Sequence, residues 1–303
     1  MSQTPLTGAA ADVHPETRAD QRRAGLSRRT REGLRRSGLG LAALAIVAYS
    51  AFPIYWMVIS SLRDPNKLFQ APTLVPGPFS LESYEVLLTL TDYPTQFRNS
   101  ILVASAVVAI TIVCSTMIAY ALTRLRIPFK TLIVMTMLYV YMLPPLLLAI
   151  PLYGIFVWLG IADSLLALAI AHCTLTLPLG VWLLWGYFKA MPFDLEEAAM
   201  VDGCSRLGAF LRVVLPLSLP GVVTVAVFSF LLSWTDYAYA LVLVSSDAQK
   251  TLPVGLASMI GAFDMRWGEA MAGATLIAVP LFVMFTFLSR YFIQGLSAGA
   301  VKG

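Results

Sequence analysis

At 303 residues, the chain is 58% hydrophobic and only 13% charged, against roughly 25% charged residues in a typical soluble domain. A fold facing water on every side could not hide that much apolar surface, so the composition argues against a soluble enzyme and for lipid as the solvent. The formal net charge is a modest +4, so the placement of the charges carries more information than their sum.

Residues 1–36 are polar and carry Arg18, Arg22, Arg23, Arg28, Arg29, Arg31, Arg35 and Arg36 without a single aromatic residue. With nothing to build a core, this stretch is predicted to be a disordered basic arm. Such arms bind nucleic acid or anionic headgroups. Because this one runs straight into an apolar segment, membrane lipid is the expected partner, and nucleic acid is not.

A hydrocarbon core of ~30 Å takes about 20 apolar residues at a rise of 1.5 Å each. Six segments meet that length, at 38–62, 98–122, 129–150, 164–188, 221–245 and 270–292. The first is too long for a signal-peptide core and lacks a small-residue cleavage site, so it is expected to remain as an anchor. Pro144, Pro145 and Pro151 interrupt the stretch 129–159, which predicts a kinked span packed inward. Loop charge orients the set. With the N-terminus inside, the cytosolic side receives the eight arginines of the arm plus Arg124, Arg126, Lys130, Lys189, Arg206, Arg212, Arg290 and Lys302. The opposite side receives only Arg63, Lys67, Arg98, Lys250 and Arg266, and the excess belongs inside. The expected fold is therefore an all-α membrane protein with six transmembrane helices and both termini cytosolic.

In the outer segment 63–97, Pro65, Pro72, Pro76 and Pro78 predict turns. Ser80 then caps a short helix over Leu81–Leu90, with Leu81, Tyr84, Leu87 and Leu88 on one face as an interfacial helix requires. Cys114, Cys173 and Cys204 stand alone and read as structural filler, without zinc or redox spacing. His14 and His172 form no metal-binding constellation. His172, in an apolar segment, reads either as a side chain hydrogen-bonded between helices or as a pathway residue.

The loop between the fourth and fifth spans, Met191 to Pro216, is the most informative segment. Asp194 is placed to cap a helix, with Glu197 three residues later to close a capping box. That helix runs to about Asp202, and Gly203 can take the left-handed stop. A second helix starts near Ser205, carries Leu207, Phe210, Leu211 and Val214 on one face, and ends at Pro216. The result is a helix–turn–helix of mixed polarity with small residues at Ala198 and Ala199, which allow another surface to approach closely beside an acid able to pair with its arginine.

These residues resemble a known signature. Glu197-Ala198-Ala199, Gly203, Val213 and Leu215-Pro216 follow the spacing found in bacterial ABC-importer permeases, with valine where isoleucine is commoner. The resemblance covers 38–303 and implies a type I importer bundle in the bacterial cell membrane. It also implies that Glu197, Ala198, Ala199, Asp202, Gly203, Leu215 and Pro216 dock an ATPase subunit. Asn99-Ser100, Tyr120 to Arg126, Met142 to Pro145 and the ending Gly295 to Gly303 are similar to the second permease of maltose-type and trehalose-type carbohydrate importers. In maltose-type relatives the tail reaches the ATPase, which implies that role for Lys302 and Gly303; a frayed terminus is the alternative. The implied partners are a second permease completing a heterodimer, an ATPase dimer holding ATP and magnesium, and an extracytoplasmic solute-binding protein. No cofactor is expected on this chain, which has no phosphate-cradling G-x-x-x-x-G-K-[ST] sequence.

For the substrate pathway, the segment Ser233 to Tyr239 supplies candidates in Trp234, Asp236, Tyr237 and Tyr239. On a continuous helix from Gly221, Asp236 lies about 22 Å along, beyond the midplane, and an intramembrane carboxylate is a functional candidate by default. Trp234 and Tyr237 would then share a face able to stack on a sugar ring while the acid binds hydroxyls. An outer aromatic belt with Asp236 turned to water is the alternative. Thr235 stands where the family usually has asparagine. The expected activity is alternating access for a carbohydrate, with no catalysis on this chain. Another small solute is the nearer alternative. A stand-alone secondary transporter is the remoter one, since no inverted repeat is evident and one intramembrane acid is a poor coupling set.

Overall fold

The computed structural model describes residues 17–65, 77, 79–260 and 266–300. Lys67, Pro72, Pro76, Pro78, Lys302 and Gly303 lie outside the described residues. The chain divides into two units, Met1–Trp56 and Met57–Gly303, a boundary different from the one at residue 36 that the charge pattern suggests.

The described part of the first unit is helical. Helix α1, Thr17–Ser61, begins inside the basic arm. Arginine, alanine, leucine, glutamine and glutamate are good helix formers. A helix that extends an existing apolar one also needs no new nucleus. From Arg35 to Tyr55 every described side chain is exposed, and Phe52 stacks on Trp56 at 6.1 Å between ring centroids.

The second unit is built on three helices that approach closely: α3 (Tyr93–Arg124), α6 (Leu165–Ala190) and α10 (Leu219–Trp234). Without water to drive helices together, close packing and interhelical hydrogen bonds must do so. Gly180 of α6 lets Ser115 and Val225 come so near that an added Cβ would stand 3.1 Å from each. One turn away along α6, the buried hydroxyls of Thr111 and Thr176 are 2.7 Å apart. Replacing Gly180 by leucine is expected to push α3 and α10 apart and cost about 1–3 kcal/mol, as overpacking of a tight core does; a lower unfolding temperature in detergent checks it.

Among the described residues, four helical stretches are long and apolar enough to cross a membrane: Arg35–Ser61, Tyr93–Arg124, Leu165–Ala190 and Trp267–Phe287. Two bent pairs bring the number to six if each is one span. Helices α4 (Lys130–Tyr141) and α5 (Pro145–Trp158) meet at 98° around Pro144 and Pro145. The predicted kink is there, and each helix packs inward along one narrow face: Val134 of α4 is buried with Leu122 and Val181, and Ala149 and Phe156 of α5 join the core, while the remaining flanks are largely exposed. The second pair meets at 74°, where Arg206–Leu217 joins α10.

The fifth predicted span, 221–245, is not continuous. Helix α10 ends at Trp234, and a short helix Ala238–Leu243 follows a three-residue break. Asp236 causes the restart: its carboxylate accepts the Tyr239 N–H at 3.3 Å and the Ala240 N–H at 3.1 Å, as a helix-initiating acid does. The last helix, Trp267–Ala300, extends beyond the predicted span at both ends.

The end of the bundle where α3 begins is clamped by side chains. The Asn99 Nδ2 donates to the Ala248 and Lys250 carbonyls at 2.9 and 3.0 Å, and Ser100 Oγ accepts the Leu252 N–H at 2.9 Å. Tyr93 donates its hydroxyl to the Gly273 carbonyl at 2.9 Å. The short helix Glu82–Thr89 has Ser80 Oγ accepting its first N–H at 3.2 Å. However, its predicted interfacial face divides. Leu87 is buried and Tyr84 reaches Ser61 at 2.7 Å, whereas Leu81 and Leu88 point outward.

Asp163 completes the clamp from the loop before α6, accepting the Ser245 and Ser246 N–H groups at 2.8 and 3.1 Å. These two amides hold its carboxyl below the ordinary carboxylate range. A depressed folded-state pKa stabilises above the unfolded value of about 3.9, and that contribution disappears as pH falls through the folded value. The gap in unfolding temperature between the wild type and Asp163→Asn is therefore expected to be constant from about pH 5 to 8 and to close below about pH 4.

Candidate functional site

The loop between α6 and α10 forms two short helices at the end of the bundle where α3 terminates. Helix α7, Asp194–Val201, starts after Phe193, and no side chain caps it. The expected capping box between Asp194 and Glu197 is absent, because Asp194 already lies inside the helix with Phe193 at the cap. Gly203 does supply the stop: its φ of +91° is left-handed, and the Cys204 N–H closes back on the Ala199 carbonyl at 3.0 Å. Ser205 caps the next helix, α8 (Arg206–Ala209), its Oγ accepting the Gly208 N–H at 3.1 Å.

Pro216 does not end this helix. A π-turn over Phe210–Val214 precedes it, with the Leu215 N–H reaching the Phe210 carbonyl, and the helical path runs on to Leu217. The wider turn accommodates a residue that has no N–H to donate. It also splits the predicted apolar face: Phe210 and Val214 are buried, while Leu207 and Leu211 are exposed.

Helix α7 has two distinct sides. Glu197, Ala198, Val201, Asp202 and Gly203 are exposed, Val201 at 87%. Ala199, expected with Ala198 on the approach surface, instead faces the bundle at 9% exposure. Leu215 is half-buried and Pro216 exposed.

The inward side also carries Glu196, which the sequence reading passed over in favour of its neighbour. Only 2% exposed, Glu196 pairs with the Arg124 Nε at the end of α3 and accepts the Tyr120 hydroxyl at 3.0 Å. Arg124 also donates to the Met191 carbonyl at 3.3 Å and lies over the Phe193 ring at 5.3 Å. A helical period of 3.6 puts Glu196 with Ala199 and away from Glu197 and Ala198, a signal that was available. Which side faces the bundle was not.

In the fifth span the four pathway candidates separate. Trp234 is fully buried, its Nε1 donating to the Ile277 carbonyl at 3.1 Å, with Phe230 stacked at 5.3 Å and Phe97 edge-on at 5.7 Å. Tyr239 is fully buried as well, 2.8 Å from Thr174 Oγ1. The face that Trp234 and Tyr237 were expected to share does not form, because the helix stops between them. Tyr237 is 43% exposed. Asp236, its carboxylate already capping the next helix, is 3.1 Å from His172 Nε2, an ion-pair distance whose geometry makes no hydrogen bond. The other ring nitrogen of His172 is 2.8 Å from Ser233 Oγ. His172 thus bonds between helices, the first of its two expected readings, and connects α6 to the break. Cys173 is buried and unbridged, like Cys114 and Cys204 without a disulfide. No cluster able to hold a metal ion occurs among the described residues.

Residues 111–298 match the family described as binding-protein-dependent transport system inner membrane component. The chain is 36% identical over 267 residues to the inner membrane ABC transporter permease protein YcjP of Escherichia coli, covering 87% of this chain and 95% of that one. It is 33% identical over 275 residues to the trehalose/maltose transport system permease protein MalG of Thermococcus litoralis, covering 90% and 99%. To the trehalose transport system permease protein SugB of Mycobacterium tuberculosis it is 33% identical over 260 residues, covering 85% and 94%. In fold it is similar to a chain of a bacterial ABC transporter involved in alginate import, with a TM-score of 0.72 over 95% of this chain and 100% of that one at 18% identity. The signature loop, the helical bundle and these likenesses agree: the chain belongs to the family of binding-protein-dependent transport system inner membrane components, the permease subunits of ABC transporters.

Proposed function

We propose that this chain forms half of the transmembrane pathway of an ATP-driven carbohydrate importer and carries the lever by which a separate ATPase works it. The observation that carries the reading is the outer side of α7, where Glu197, Ala198, Val201, Asp202 and Gly203 present two acids, small residues and the apolar Val201, none of them covered by the other described residues. Small side chains admit a close neighbour, and an exposed acid at the edge can select an arginine. Half-buried Leu215 and exposed Pro216, at the end of the same loop, complete the docking set. Lys302 and Gly303 extend it if the tail follows maltose-type relatives. ATP and magnesium belong to the ATPase dimer, and a second permease and an extracytoplasmic solute-binding protein complete the assembly.

On this reading each bent pair is one span. There are then six in residues 37–303, with both termini and the arm 1–36 in the cytosol of a bacterial cell and the chain multi-pass in its membrane. Carbohydrate as the solute is supported by the relatives that belong to trehalose and maltose transport systems. The break at Thr235–Tyr237 supports a pathway there, because non-helical backbone at membrane depth is tolerated where it is buried in protein or lines water. Exposed Tyr237 is then the candidate solute contact, with Asp236 shaping the break, whereas Trp234 and Tyr239 hold its walls.

Glu197→Ala and Ala198→Trp test the docking surface. Both positions are exposed, so the unfolding temperature should stay at the wild-type value. Recovery of the ATPase with the tagged chain should fall about tenfold, the loss of about 1.4 kcal/mol expected at the centre of an interface. A wild-type chain that recruits no ATPase, or variants that recruit it undiminished, would overturn the proposal.

A further inference from the structure

Helix α7 is eight residues long, and a non-helical joint lies within three residues of each end. Before it, Met191 is extended at φ −82° and ψ 128°; after it, Gly203 is left-handed. These joints interrupt the helical path to α6 and α10, so the side chains that α7 buries offer the direct route for a displacement.

Those side chains lead to α3. Glu196 is the buried charged group of α7, and both its oxygens are engaged by one turn of α3: Oε1 by the Arg124 guanidinium and Oε2 by the Tyr120 hydroxyl. The same guanidinium reaches the Met191 carbonyl and covers Phe193, so it spans the first joint as well. The Tyr120 ring in turn packs on Phe210 at 4.5 Å and on Phe188 at 6.4 Å. A two-point attachment of a carboxylate fixes orientation as well as distance, and a buried pair at 2% and 7% exposure escapes screening by water.

We infer that Glu196, Arg124 and Tyr120 are positioning residues that lock α7 to the end of α3, so that a displacement of the docking helix reaches the second span directly and not only through the loops that join α7 to α6 and α10. The inference rests on the reading of α7 as the ATPase dock for its purpose, though not for its existence. Glu197 would face the ATPase, and Glu196, one residue away, would face the membrane span that takes up the motion.

The test is pulsed electron paramagnetic resonance on the full chain in lipid nanodiscs, with Cys114, Cys173 and Cys204 replaced by alanine. Nitroxides on the exposed positions Leu195 of α7 and Met117 of α3 report the lock. A pair on Met117 and Leu166, exposed on α3 and α6, reports the bundle. In the wild type both distance distributions are expected to be narrow. Glu196→Gln and Arg124→Ala should widen the first about twofold or more and leave the second unchanged, whereas Tyr120→Phe, which keeps the ion pair, should widen it less. In the importer purified with its ATPase and second permease, ATP with vanadate should leave the wild-type 195–117 distance in place and shift it in Glu196→Gln. An unchanged 195–117 width in Glu196→Gln, or equal widening of both pairs, overturns the inference. A chain that binds no ATPase yet keeps the narrow 195–117 distance overturns only the docking role of α7.

Discussion

Arg124→Ala is expected to destabilise the chain by about 3–5 kcal/mol, the loss typical when one member of a buried ion pair is removed and the other is left unpaired. The pair itself need not be worth that much. Taking both charges out of water consumes most of their attraction, so replacing the two together can be neutral. The double replacement Arg124→Met with Glu196→Leu should therefore recover most of the unfolding temperature that Arg124→Ala loses. Thermal unfolding in detergent or nanodiscs measures both. Equal losses in the single and double variants would mean that Glu196 is not desolvated as its 2% exposure indicates. The double variant also separates stability from positioning: it should fold and still lack the two-point attachment of α7.

Trp234→Ala should have the other large effect. Removing a buried tryptophan costs about 3–5 kcal/mol in cores. The lower part of that range applies here, because the unfolded reference within a membrane is lipid and the lost term is packing alone. Trp234 has no exposed surface, stacks on Phe230 and bonds to the Ile277 carbonyl of the last helix. Trp234→Phe should restore most of the packing and retain a deficit of about 1 kcal/mol for the lost hydrogen bond. Both variants should lower the unfolding temperature. A wild-type unfolding temperature with impaired transport would instead make Trp234 a solute contact, as its place in the sequence first suggested.

The two cases show where local reasoning carried and where it stopped. The stop at Gly203, the helix start near Ser205 and the proline bend after Tyr141 depend on φ, on one N–H or on a missing one, all within a few residues. They were legible, and the structure has them. Asp194 misled because a cap is defined by where the backbone enters the helix, and the entry comes one residue earlier, with Phe193 beneath the Arg124 guanidinium. The fifth span misled because its residues are apolar enough for one helix. Asp236 can end a helix or ride on one, and His172 and the Tyr239 and Ala240 amides favour the first.

The sequence by itself determined that this chain lives in a membrane, how many apolar segments it has, and that the loop 191–216 carries an importer signature. These follow from hydrophobic length, side-chain charge and spacing, which are summed along the chain and need no partner. Only the tertiary structure decided which of two adjacent glutamates is buried, and that Trp234 has no exposed surface. Burial is a property of what lies opposite. For Glu196 that is an arginine 72 residues earlier, and for Trp234 a carbonyl 43 residues later, separations over which no periodicity or cap reaches.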